Sequence, residues 1–392
     1  MKNNAPPGWP RYASILAAIT VIILLSFFSG LACRPADAAR LSSLCIPDFP
    51  YKDGWYGGDG AWSLDLGDGR VLWLFGDSFV SSREGLQDRS GMQLVLGTTV
   101  AVSTCTAGGE FRIRYRLKKR DGEFVSFFGD GEWLWPGDPF LVRGTVYVPL
   151  VSIEEDPDRP KPFAFKITDH RIAKIEDFKG RDPLDWKVDY LDLSPGVLEG
   201  VHAFAATSVP HGRHVYFFPL YGATVNGLTL FGNILARVSL EALSEPGEAV
   251  EYLTGNGKWK RNPRHDELKV VLDAAVPEMS VRYHPERGKW VAVYLSIEGR
   301  GDRMLFRTAD KLEGPWEEPE VLLSPIPEVD PESPFYDDKT FCYAGKEHFM
   351  FSMGRIFVVS YVCNSEDDPA DEEGFICKNL FLYRPVVRTV LH

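Results

Sequence analysis

From Ala13 to Ala32 the chain reads ASILAAITVIILLSFFSGLA, an apolar run preceded by Lys2 and Arg11. Such a run behind a weakly positive start predicts a secretory h-region, long enough to span a bilayer where it is not cleaved. Beyond residue 40 the pattern changes. Apolar runs shorten to strand length and are cut by Gly, Pro, Asn and Asp, while stretches of helical period are few and as short as Ser239 to Leu243. The pattern predicts an all-β protein.

Five segments share one plan. They begin at Trp55, Trp133, Gly200, Val276 and Cys342, spaced about 65 to 80 residues apart, the period of a repeated multi-stranded unit. Each has a short first strand, a turn containing Gly, and a strongly apolar second strand. The turns are D-G, R-G, H-G, R-G and M-G, which are hairpin signals. Five such hairpins predict a five-bladed β-propeller, in which each blade is a twisted sheet covered on both faces by its neighbours. LGTTVAVSTCTAG, FRIRYRL, FAFKI, NILARVSL and MLFRTAD fit outer strands. NLFLYRPVVRTV is expected to close the ring beside an N-terminal strand. The division is a leader and linker over 1–40 and one propeller domain over 41–392. The competing architecture is one or two β-sandwiches, and the uneven repeat lengths keep it open.

In a propeller the innermost strands line a central channel, so equivalent positions face one another. Aligned on their turns, the repeats bring Asp59, Asp138, His202, Glu278 and Lys346 to one ring. Ionisable side chains at half-buried strand starts are seldom neutral choices; they pair with one another or serve a site. Glycoside hydrolysis needs two carboxyl groups, a proton donor and an ionised partner. Asp59, Asp138 and Glu278 supply both, with a third carboxylate to raise a neighbour's pKa. Lys346, His202 and His348 could bond sugar hydroxyls. Trp62, Trp135 and Tyr283 lie near the same strand starts and could stack on sugar rings; each has a core alternative. Asp77, at the end of an apolar run in LFGDSF, is either a turn residue or a site residue.

Composition narrows the setting. A net charge of −12 argues against nucleic acid or an anionic membrane surface as partner. Aromatics make up 13% of the chain, ample for sheet packing and for sugar recognition. Of six cysteines none forms C-x-x-C, so a zinc site is not expected. Cys363 and Cys377 flank an acidic loop and could close it as a disulfide, in keeping with export. Two processing sites compete. Cys33 after Gly30-Leu31-Ala32 resembles a lipoprotein site, and Ala36-Asp37-Ala38 fits ordinary signal peptidase. The protein is expected in the periplasm, lipid-anchored at the cell surface or secreted, as a monomer touching membrane only through its N-terminus. No cofactor is required, although Ca2+ could sit in an acidic channel.

GGDGAWSLDLGDGRVLWLFGDSFV, WPGDPFLV, PEMSVRYHPERGKWVAVY, GPW and YAGKEH together resemble a bacterial family of five-bladed propellers long labelled only as a domain of unknown function. Some members of that broad group are endo-D-arabinanases, and the wider clan holds arabinanases, xylosidases, levansucrases and invertases. The resemblance spans Trp55 to Val387. It implies that Asp59 is the blade-one acid, acting as base or nucleophile, that Asp138 tunes pKa and orientation, and that Asp77 belongs to a G-D-[ST]-F site element. The clan commonly places its general acid, a Glu, on blade three, where this chain offers His202; its candidate Glu278 falls on blade four. The expected function is a glycoside hydrolase acting on an extracytoplasmic polysaccharide, arabinan-like furanosides included. The alternatives are a non-catalytic carbohydrate-binding or scaffold propeller and, more remotely, a metal-dependent lyase or phosphodiesterase.

Overall fold

The structure is a computed structural model that describes residues 45–159, 163–369 and 371–392. The leader, both processing sites and Cys33 lie outside the described residues. Cys45–His392 forms one compact unit. Among the described residues no helix is long and apolar enough to cross a membrane.

The unit is a five-bladed propeller. Blade one is Trp62–Asp65, Arg70–Phe75, Thr99–Cys105 and Phe111–Tyr115. Blade two starts with Phe140–Val142, continues through the 11-residue strands Thr145–Glu155 and Phe165–Ile175, and ends at Asp189–Asp192. Blade three is split into two sheets, led by Ser208–His211 and by Val201–Ala203. Blade four is Ser280–His284, Lys289–Leu295, Met304–Ala309 and Glu320–Leu323. Blade five is Thr340–Glu347, Ile356–Ser365 and Val386–Leu391. All five hairpin turns carry a glycine at positive φ: Gly69, Gly144, Gly212, Gly288 and Gly354. That is the conformation tight hairpin connections demand and L-residues avoid.

Five apolar clusters close the circle, one per interface. Trp62, Leu72 and Leu74 of blade one meet Val146, Val148 and Leu150 of blade two. Phe140 and Ile172 meet Phe217 and Ile234 between blades two and three. Val209 and Leu253 meet Val281 and Ala292 between three and four. Val293 and Phe306 meet Phe357 and Val359 between four and five. Trp73 and Phe75 return to Phe351 and Val358 of blade five. Each fully buried large side chain contributes roughly 1.5–3 kcal/mol, so cutting the circle anywhere exposes a complete interface. Successive inner strands adjoin from blade one to blade five. The last gap is spanned by Ser63 Oγ and His348 Nδ1, 2.8 Å apart.

The closing strand differs from expectation. Val386–Leu391 pairs with Ile356–Ser365 and not with an N-terminal strand. Among the described residues no strand pairing joins blades one and five, whose loops meet through the Arg89 N–H bond to Cys377 O at 2.8 Å. The disulfides differ too. Cys45 bonds Cys105 and Cys342 bonds Cys363, leaving Cys377 a buried free thiol. Cys342 and Cys363 are register partners on adjacent strands, a closer pairing than two ends of an acidic loop provide.

Candidate active site

Asp59 sits just past the strand Trp55–Gly58, on the path into the inner strand of blade one. Its N–H donates to the carbonyl of Asp77 at 3.0 Å, and its own carbonyl accepts from Gly76 N–H at 2.7 Å. These two bonds lock the G-D-G and G-D-S-F segments together. Gly60 is required here: its φ is +60°, and a Cβ would lie 3.0 Å from Glu278 Oε2. A missing side chain thus lets the blade-four carboxylate come up against the blade-one loop.

Three of the carboxylates that line the cavity have different surroundings. Asp59 Oδ1 is buried without a hydrogen-bond partner. Burial, then the nearby charge of Glu278, pushes its pKa up to about 8, while the Tyr343 hydroxyl and Lys346 pull the other way. Asp77 is 7% exposed and raised by burial to about 6. Three donors restrain that rise, all on Oδ1: Gly97 N–H at 2.6 Å, Trp135 Nε1 at 2.8 Å and Trp133 Nε1 at 2.9 Å. Glu278 is ion-paired with Lys346 Nζ at 2.7 Å. Lys346, itself 2% exposed, lies 4.2 Å over the ring of Trp62. Asp59, Asp77 and Glu278 line one cavity of about 1890 Å³, larger than the usual small-molecule pocket.

The other expected site residues divide. Trp135 lines the cavity but spends its indole N–H on Asp77. Trp62 reaches the cavity with one face under Lys346 and its indole bonded to Pro136 O at 2.9 Å, which leaves little ring for sugar. Asp138 is 1% exposed, and its carboxylate is bound by Thr207 Oγ1, Ser208 N–H and Arg282. It clamps blades two, three and four, and the charges that raise Asp59 come from Glu278 and Asp77. His348 is 1% exposed, with both ring nitrogens engaged, by Ser63 and by Ser360 at 2.8 Å. Burial and the cations Lys346 and Arg282 hold it neutral, with a pKa near 3. It belongs to the core and does not face the cavity. Tyr283 is 44% exposed, packs on Trp290 and lies outside the cavity.

His202 needs a structural correction. It lines the cavity wall, but on Val201–Ala203 of the second blade-three sheet. Asp138 and Glu278 each stand two residues before their inner strands, Phe140–Val142 and Ser280–His284. The same place before Ser208–His211 is Ala206. Among the described residues blade three therefore puts Ala206, and no ionisable group, at this ring position. Its turn is as tight as that of blade two, so the longer spacing of blades one and four overshoots.

Two contributors were missed. Trp133 precedes Trp135 by two residues, and period two puts both indoles on one strand face, a readable signal. Tyr343 faces Asp59 because the chain turns at Ala344, whose φ is +57°, and the register slips between Tyr343 and Lys346. Nothing in the local sequence announces that kink.

Asp138 is saturated, and the charges beside His348 are Lys346 and Arg282, both cations. Glu347 offers one unpaired oxygen, Oε1, with Oε2 held by His284. Among the described residues one cluster has metal-ligand spacing, Glu328 with Cys342 and Cys363, and its two sulfurs form a disulfide.

The model of the family described as Domain of unknown function (DUF5005) matches residues 49–389, and the chain belongs to that family. No curated protein matches in sequence. A Bacteroides ovatus crystal structure, provisionally described as a hydrolase, is similar in fold. It is 16% identical, with a TM-score of 0.63 over 86% of each chain. The GH43_1 enzyme of Xanthomonas citri with xylose is 13% identical, TM-score 0.45, over 90% of each chain. A GH43 β-xylosidase/α-arabinofuranosidase from a compost metagenome is 14% identical, TM-score 0.41, over 85% of this chain and 90% of its own. The first likeness supports the propeller fold; the other two are too distant to bear on chemistry.

Proposed function

We propose that the protein is a glycoside hydrolase acting on a polysaccharide outside the cytoplasm, with arabinan-type furanosides among the first substrates to try. One observation carries the reading. Two carboxyl groups of opposite character, Asp59 and Glu278, meet across Gly60 in a cavity large enough for several sugar units. Asp59, with its pKa near 8, holds a proton at neutral pH and is suited to protonate a leaving oxygen. Glu278, paired with Lys346, is suited to activate water or attack the anomeric carbon. This exchanges the roles the family resemblance implied, because the buried carboxyl with one oxygen unpartnered is on blade one. Asp77 sits beside Asp59 as a second group poised near neutrality. Two disulfides favour an oxidising compartment, in line with export and with an anchor at Cys33 or release after Ala38.

The test is a panel of D-arabinan, L-arabinan, fructan, xylan and bacterial exopolysaccharides, with reducing ends measured for wild type, Asp59→Asn and Glu278→Gln. Product lost in both folded variants is expected; undiminished product in either would refute the assignment. A carbohydrate-binding propeller is the second reading, favoured by the vacancy at Ala206. Glycan retention without turnover would establish it.

A further inference from the structure

Blade two carries the two longest strands among the described residues, Thr145–Glu155 and Phe165–Ile175. Thr145–Glu155 pairs with the inner strand Phe140–Val142 through Thr145 to Tyr147, and with Leu134–Pro136 through Leu150 to Ser152. Eleven residues of strand extend about 36 Å at ~3.3 Å each, so the outer half of this hairpin rises past the ring. That half carries an aromatic series. Trp133 and Trp135 pack edge-on at 5.7 Å, and Phe165 meets Trp135 at 4.7 Å. Phe163, two residues on, reaches Phe341 of blade five at 5.7 Å, and Phe341 stacks on Tyr343 at 5.5 Å.

Blades two and five are not neighbours; blade one lies between them. Phe163 and Phe341 both line the cavity, so their contact spans it from blade two to blade five. The series begins at Asp77, bound by both indoles, and ends at Tyr343, which faces Asp59. It is an arch whose two feet stand beside the two blade-one carboxylates. A polymer laid sideways across the propeller face would have to pass through Phe163 and Phe341. A chain end slid beneath them would not.

We propose that this arch makes the site end-selective: a glycan enters by a free chain end, threaded under Phe163 and Phe341, and internal stretches are refused. The proposal rests on the glycosidase reading for its chemistry, but the threading can be tested separately. Linear debranched arabinan and linear xylan serve as probes, with viscosity and reducing ends followed together. Wild type is expected to release ends while viscosity holds. In Phe163→Ala/Phe341→Ala, and more mildly in Phe341→Leu, the viscosity lost per bond cut should rise severalfold as internal attack opens. An immediate collapse of viscosity with wild type would overturn the arch and leave the hydrolase reading standing. If neither polymer is cleaved, the hydrolase reading fails for these glycans and retention decides the arch. Free-ended fragments held in preference to the same polymer tethered to resin at both ends would uphold it. Equal retention, or none, would overturn it.

Discussion

Replacing Asp59 with Asn should abolish activity and stabilise the fold, by a margin that widens with pH. The buried carboxyl has a pKa near 8 in the folded protein against 3.8 as the ordinary value. Folding therefore raises this pKa. Below 3.8 both states are protonated and the contribution is fully present. Above it the unfolded chain loses a proton that the folded protein keeps, and stability falls by about 1.4 kcal/mol per pH unit until the folded group ionises near 8. At pH 7 the accumulated loss is about 4 kcal/mol, a large part of the 5–15 kcal/mol typical of a domain. Asparagine cannot ionise, and the main-chain bonds to Gly76 and Asp77 do not depend on the side chain. Urea titrations of wild type and Asp59→Asn at pH 5, 7 and 9 measure the difference. Asp77, also raised, is present in both proteins and cancels. The gap should grow by nearly 3 kcal/mol between pH 5 and 7. Parallel stability curves would mean that Asp59 is ionised in the folded protein, and its role as proton donor would fall with them.

Tyr343→Phe removes a hydroxyl that favours the charged form of Asp59, so the alkaline limb of the activity profile should move above its wild-type position near pH 8; an unmoved limb would detach Tyr343 from the site. The disulfides close loops of different size, 60 residues for Cys45–Cys105 and 21 for Cys342–Cys363. Chain-entropy scaling predicts that Cys45→Ser costs about 4 kcal/mol and Cys363→Ser about 3 kcal/mol, read by denaturant unfolding under non-reducing conditions. His348 has a folded pKa depressed from 6.5 to about 3, so the stability it confers is present above 6.5 and is lost as pH falls toward 3. Between pH 7 and 5 that slope amounts to about 2 kcal/mol, and His348→Gln should lack it while losing about 1–3 kcal/mol at neutral pH from its broken bonds to Ser63 and Ser360.

The propeller was readable because each blade repeats one local instruction, a glycine turn between a short strand and an apolar one. Such signals sit within a dozen residues of each other and need no tertiary knowledge. The ring positions were readable only where spacing from turn to ring stayed comparable. Asp59, Glu278 and Lys346, aligned on that basis, came to lie beside one another. His202 did not, because the tight turn at Gly212 shortens blade three and brings Ala206 to the ring. Burial was the other blind spot. Nothing in Y-A-G-K-E-H distinguishes Lys346, aimed at Glu278, from His348, closed off between two serines. That difference arises from the register slip after Tyr343, which only pairing with Ile356–Ser365 imposes. The disulfide at Cys342 likewise depended on strand register, which spacing along an acidic loop could not supply.

The charged inner residues divide by whether their partners leave an atom free. Asp138 gives both oxygens to Arg282 and adds Thr207 and Ser208, so three blades are pinned through one carboxylate. Breaking such a pair from one side typically costs about 3–5 kcal/mol, because a buried charge is left alone. His348 joins blades one and five in the same manner with neutral hydrogen bonds. These groups are spent on geometry. Asp59 keeps an oxygen with no partner, and Asp77 concentrates its three donors on one oxygen. A fold under no functional demand would have removed the desolvation cost of Asp59 by substitution, since Asn or Ser fits the same loop. The rigid clamps below and the costly carboxyls above fit together on one account. Asp138 and His348 fix the inner strands so that Asp59 and Glu278 can be held close, one protonated and one paired with Lys346, without collapsing onto each other.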